Sequence, residues 1–204
     1  LTDVDPSWPE ERKLEHLRDF NVPTLWTISM HEVYPGHYLH YQHLRRVASK
    51  VRRSTLFAPA SYVEGWAHYG EQMMLEAGFG RGDYALKLGQ LGEALVRLAR
   101  FVVAIKLHAD DWSVEQGVRF FREEAYLEEG GARREAERGT FDPTYLVYSA
   151  GKLMLLKLRH DWQEEQRGKT SLRAFHDAFL AQGAAPFPAL RRLMLDHAAG
   201  DVME

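Results

Sequence analysis

The segment His31-Glu32-Val33-Tyr34-Pro35-Gly36-His37 sets two imidazoles and a carboxylate at the end of an apolar run, Leu25-Trp26-Thr27-Ile28. Pro35 has no amide proton for the His31 carbonyl, and its ring crowds that turn of a helix. Gly36 tolerates backbone angles that other residues avoid. The segment therefore reads as a joint: one helix ends near Glu32 and another starts near His37. In an unbroken helix the two histidines, six residues apart, would sit about 120° around the axis with about 9 Å of rise, too far to share one ion. The common zinc-binding helix places its histidines four residues apart, and Pro35 stands at that position here. A break at Pro-Gly must swing His37 back toward His31 if both are to hold a metal.

Two neutral imidazoles suit a divalent ion, and a glutamate beside the first is placed to take a proton from an attacking water. Glu64, in Val63-Glu64-Gly65-Trp66, is the candidate third ligand, which leaves one position open. His40 and His43 follow His37 at three-residue steps, so either could replace it, or the helix could simply present a wet, His-rich face.

Outward from this joint the chain reads as all-α, with no alternating stretch that would make a strand. Helices are expected from Glu10, from Thr24 through His31, and over 37–52, 62–77, 84–109, 113–128, 132–138, 144–166, 171–181 and 189–198. Asp83 and Ser171 (or Thr170) are candidate caps, and Ser113 with Gln116 forms a capping box. Gly130-Gly131 is expected to end the helix that Ser113 starts. The basic run Arg45, Arg46, Lys50, Arg52, Arg53 reads as a solvated helix C-terminus. Helix 84–109 carries Leu88, Leu91, Leu95, Leu98, Val102 and Ile105 and is expected to be central and buried, with Gly89 and Gly92 admitting a close neighbour. Glu64, His68 and Glu71 share one helix face, so His68 or Glu71 is expected to steady a ligand set containing Glu64.

These blocks resemble a known family. His31-Glu32-Val33-Tyr34-Pro35-Gly36-His37 is similar to the His-Glu-x-x-Pro-Gly-His signature of bacterial DUF885 proteins. Glu64-Gly65-Trp66-Ala67-His68-Tyr69-Gly70-Glu71, Leu107-His108 with Trp112-Ser113, Tyr148-Ser149-Ala150-Gly151-Lys152 and Leu172–Asp177 resemble its later blocks, in order, over residues 25 to 195. The resemblance implies a zinc-dependent peptidase with a multi-helix, zincin-like bundle. It also implies one helical domain, 1–204, that is the C-terminal, metal-bearing part of a longer architecture. The chain departs from the family in Val103-Ala104-Ile105-Lys106, where an Asp and a Gly usually precede the Leu-His block.

With 204 residues the chain can bury a real core. Its net charge is −3 with both signs interspersed, which gives no case for nucleic acid or a membrane surface. No apolar run is long enough to span a bilayer. Without cysteine there is no thiolate ligand or thiol nucleophile, so any metal rests on His and carboxylate. That suits a catalytic zinc, though manganese or cobalt also accept such ligands. The compartment stays open: cytoplasm is favoured, and secretion is allowed if a signal peptide has been removed.

The expected chemistry is amide hydrolysis of a peptide or small amide. His31, His37 and Glu64 are the ligands and Glu32 is the general base. Tyr148 is the expected oxyanion donor, with His108 as the alternative. Arg138 and Lys152 are candidates for a substrate carboxylate, or are ordinary surface charges. A missing N-terminal region or a homo-oligomer would complete the assembly. Two rivals remain: a non-catalytic helical domain, favoured by Ala104 and Lys106, and a metal hydrolase of other esters or amides.

Overall fold

A computed structural model describes residues 3–197. The described residues form helices α1 (Glu10–Asp19), α2 (Val22–Glu32), α3 (His37–Leu44), α4 (Ala60–Glu76), α5 (Tyr84–Ala109), α6 (Val114–Ala125), α7 (Glu129–Phe141), a 3-10 turn (Pro143–Leu146), α8 (Val147–Glu165), α9 (Leu172–Ala181) and α10 (Phe187–Met194). No strand occurs among the described residues, and the all-α reading holds. No described helix is long and apolar enough to cross a membrane. The chain divides into two compact units. One takes the residues up to Ser29 with Gly78–Leu146; the other takes Met30–Ala77 with Val147 onward.

In the first unit α5 packs on α6, α7 and the 3-10 turn. Phe121, Val103, Ala132, Ala136 and Tyr145 form its sealed centre. Arg100 donates two hydrogen bonds to Glu135, at 2.6 and 2.7 Å, and Tyr145 Oη donates to the same carboxylate at 3.1 Å. The Ser113–Gln116 capping box and the Asp83 cap form as expected. Gly130 and Gly131 do not end α6. The chain leaves α6 at Tyr126, which takes a left-handed φ of 57°, and both glycines lie inside α7.

Helix α5 differs most from its expectation. Leu88, Leu91, Leu98 and Ile105 are 71%, 48%, 51% and 42% exposed. The buried face carries Leu86, Gln90, Val96, Arg97, Ala99, Val103 and Ala104 instead. Alternating steps of three and four residues show which side chains share a stripe; they do not say which stripe is covered. Gly89 does meet a close neighbour, Pro23 of α2, whereas a Cβ on Gly92 would meet nothing within 4 Å. Leu88→Ser is accordingly expected to change the stability of this chain by no more than ~0.5 kcal/mol. A denaturant midpoint shift worth several times that would return Leu88 to a core.

In the second unit α4 lies along α8. The core holds Tyr62, Trp66, Phe175, Phe179, Phe187, Leu155, Leu158 and Leu190. Trp66 and Tyr62 each stack on Phe179, with ring centroids 5.6 and 5.0 Å apart. Trp66 Nε1 also donates to the Pro35 carbonyl at 2.9 Å, tying the joint to α4. Gly65 and Gly151 meet where the two helices cross: a Cβ on Gly65 would lie 2.7 Å from the Gly151 Cα. Helix α3 stops at Leu44, well short of residue 52. Val47 turns into this core, and the Arg52 carbonyl accepts from the Ala184 amide at 2.8 Å.

One buried histidine, His40, and one half-buried histidine, His176, are expected to make this unit acid-sensitive. His40 is held near pKa 4 by burial and by the neighbouring His37 and His43. His176 is held near 4 by burial and by Arg159, and it accepts from Tyr69 Oη at 2.8 Å. Both folded values lie below the ordinary 6.5, so between pH 6.5 and 4 the unfolded chain binds more protons. Stability is therefore full above 6.5 and lost as pH falls toward 4. Each histidine is expected to contribute a loss of about 2 kcal/mol by pH 4.5. Urea unfolding at pH 7 and pH 4.5 measures it. His40→Leu should remove its share without cost at neutral pH, because neither ring nitrogen of His40 has a hydrogen-bond partner among the described residues.

Candidate metal centre

The second unit assembles its cluster from α2, α3 and α4. His31 lies one residue before the end of α2 and His37 opens α3. Between them the Gly36 amide donates back to the Met30 carbonyl at 3.0 Å. The Gly36 Cα lies so close to the His31 carbonyl that a Cβ there would overlap it. The Tyr34–Pro35 peptide is cis. The two imidazoles meet edge to face with centroids 4.8 Å apart, so the joint does return His37 to His31.

Glu64, in the second turn of α4, faces both. Its Oε2 lies 3.4 Å from His31 Nε2 and 3.6 Å from His37 Nε2. Zinc bonds of about 2.0–2.1 Å at tetrahedral angles place ligand atoms about 3.3–3.4 Å apart, so the three groups fit one ion. Their candidate donor atoms all lie within 4.8 Å of one another, and neither His40 nor His43 joins them among the described residues. His40 is buried against Tyr62, with ring centroids 5.1 Å apart.

The surroundings fix one imidazole more firmly than the other. His31 Nδ1 donates to Glu71 Oε1 at 2.7 Å, which leaves the Nε2 lone pair facing Glu64. The other Glu71 oxygen accepts from His68 Nδ1 at 3.2 Å. Glu71 is fully buried and paired on both oxygens. A carboxylate on the remote nitrogen of a ligating histidine sets its tautomer and orientation. His37 Nδ1 is buried without a hydrogen-bond partner among the described residues. Burial works to raise the Glu64 pKa, but the hydrogen bonds and charges of His31 and His37 outweigh it and hold it at about 2.

Glu32 is exposed at the end of α2. Tyr148, the second residue of α8, is half-buried with its ring 6.5 Å from His31. Lys152 is half-buried one turn further along α8. Tyr41 escaped the sequence reading, although its four-residue step from His37 points to it. Its ring lies 6.3 Å from that of His37, and burial, then Glu64 and Glu32, push its phenol pKa up.

His108 and Arg138 belong to the first unit. His108 Nε2 donates to the Gly139 carbonyl at 2.9 Å. Arg138 donates to Asp142 at 3.1 Å and lies over the Tyr145 ring. Both therefore have structural partners within that unit. So do the departing residues: Ala104 is buried in its core, and Lys106 pairs with Asp110 at 2.6 Å.

A family model described as "Bacterial protein of unknown function (DUF885)" matches residues 7–194. The chain belongs to DUF885. No curated protein matches this DUF885 chain. Among solved structures it is similar to a protein described as "a putative lipoprotein of unknown function" from Shewanella oneidensis, at 28% identity and TM-score 0.85. That match covers 96% of this chain and 36% of the other. A second, described as "the putative lipoprotein" from Colwellia psychrerythraea, is 32% identical with TM-score 0.80, over 85% of this chain and 30% of that one. The chain thus spans about a third of the length of these two solved structures.

Proposed function

We propose that this DUF885 chain carries a divalent-metal hydrolase site that cleaves peptide amide bonds, with His31, His37 and Glu64 as ligands. One observation carries the reading: both imidazole Nε2 atoms face the same Glu64 oxygen at ligand-to-ligand separations, while buried Glu71 holds the far side of His31. A bound zinc, or another ion suited to His and carboxylate, would acidify a water and polarise the scissile carbonyl.

The chain's own groups supply the rest. Glu32, beside His31 and open to solvent, takes the proton from the attacking water and returns it to the leaving amine. Tyr148, across from His31, donates to the oxyanion of the tetrahedral intermediate. Glu71 and His68 keep the His31 ring from turning. His108 and Arg138, engaged within the first unit, take no part in this proposal.

The test is cleavage of a mixed peptide set read by mass spectrometry, with the protein zinc-loaded, then chelated, then reloaded. Cleavage that disappears and returns with the metal supports the reading. A loaded protein that leaves every peptide intact contradicts it and favours the non-catalytic helical domain.

A further inference from the structure

We propose that the pocket at the C-terminal end of α3 binds a carboxylate of the substrate peptide, foremost its terminal α-carboxylate. The proposal rests on the hydrolase reading and names the substrate class of that site: peptides cut near a free C-terminus.

The early end of α3 creates the pocket. Because the helix stops at Leu44, residues 45–53 do not stack as a solvated helix end; they bend around a cavity of about 690 Å³. Tyr41, Leu44, Arg45, Lys50, Arg53 and Ser54 are among its lining residues, and no carboxylate lines it. Arg45, Lys50 and Arg53 form no ion pair and no side-chain hydrogen bond among the described residues. Most other arginines of the chain are engaged: Arg52 reaches Gln182, Arg159 reaches Tyr69, and Arg191 reaches Asp161. Between Glu32 and Glu64 the sequence has five Lys or Arg and no acidic residue, in a chain whose net charge is −3. The two carboxylates that bracket this basic lobe are the proposed base and the proposed ligand.

Position links the pocket to the metal cluster. Tyr41 is shared: its ring packs against His37 and also lines the pocket. His37, Tyr41 and Arg45 follow at four-residue steps along one helix face. Two helical turns carry His37 to Arg45, about 12 Å, and an extended peptide advances about 3.3 Å per residue. A substrate running along α3 thus presents its carboxylate to Arg45 and Arg53 about two to four residues beyond the cleaved bond. An arginine pair reads a carboxylate by charge-assisted hydrogen bonds, and the apolar side of Tyr41 and Leu44 accommodates the preceding side chain.

The experiment is calorimetric titration of the intact, metal-stripped chain with a six-residue peptide of uncharged side chains. It is supplied as the free acid, as the C-terminal amide, and as an amide carrying one internal glutamate. The free acid is expected to bind about tenfold more tightly than the amide. Arg45→Gln with Arg53→Gln should abolish that difference while the circular dichroism spectrum stays unchanged; Lys50→Gln alone should reduce it. If the internal glutamate restores binding as well as the terminal carboxylate does, the pocket reads any carboxylate and the emphasis on the C-terminus is overturned. Equal binding of acid and amide, or binding of neither, overturns the pocket. The hydrolase reading fails separately: a free-acid preference in a zinc-loaded protein that cleaves nothing would leave the pocket standing and remove the chemistry.

Discussion

Glu32→Gln is expected to keep the metal site and to lose about 10³-fold of the peptide hydrolysis. General acid–base groups contribute about 10²- to 10⁴-fold, and the proposed mechanism assigns both proton transfers to this one carboxylate. The amide is nearly the same size, and Glu32 is exposed at the end of α2, so folding should not suffer. None of the hydrogen bonds that hold His31, His68 and Glu71 passes through it. The decisive comparison is kcat with metal content measured on the same sample. A variant that retains both metal and turnover would remove Glu32 from the mechanism and direct attention to another base.

Gly151→Ala is expected to cost about 3 kcal/mol, a fall in Tm of about 10 °C. The new Cβ would overlap the Ser61 carbonyl oxygen and lie 2.9 Å from the Gly65 Cα. These are backbone atoms of α4, so no side chain can rotate away and the two helices must part. Glu64 precedes Gly65, and Tyr148 lies one turn before Gly151. Parting the helices therefore also moves a proposed ligand away from a proposed oxyanion donor, and zinc affinity should fall with stability. Gly92→Ala is the matched control: its Cβ meets nothing within 4 Å, and removing a glycine from a helix interior should stabilise by about 0.5–1 kcal/mol. Equal effects of the two substitutions would mean that the α4–α8 approach is not steric.

Much of the framework is legible in the chain because its signals are local. Asp83, Ser113 and Ser171 each cap the helix they precede. Pro35-Gly36 breaks the helix for reasons of backbone chemistry, whereas the return of His37 to His31 also involves the Trp66 hydrogen bond to the Pro35 carbonyl. What the sequence hides is set by tertiary partners. The end of α3 at Leu44 carries neither glycine nor proline; it follows from Val47 entering the core and Arg52 bonding to Ala184. The leucine stripe of α5 has the right period, but most of it stays exposed among the described residues. The choice between His68 and Glu71 as the support for the ligands depends on which reaches His31 across helices. It is Glu71, at 2.7 Å, with His68 bonded to Glu71 in turn. The tight Gly65–Gly151 crossing leaves no periodic trace, since a helical glycine looks the same whether or not a neighbour presses on it.

The central claim is that His31, His37 and Glu64 hold one divalent ion. Elemental analysis of the purified chain, prepared without an affinity-tag metal and dialysed against zinc, tests it most directly. About one zinc per chain is expected in the unaltered protein and none in Glu64→Ala or His31→Ala variants that retain their helical spectrum. A folded chain that takes up no zinc, or that binds it equally well without Glu64, would contradict it.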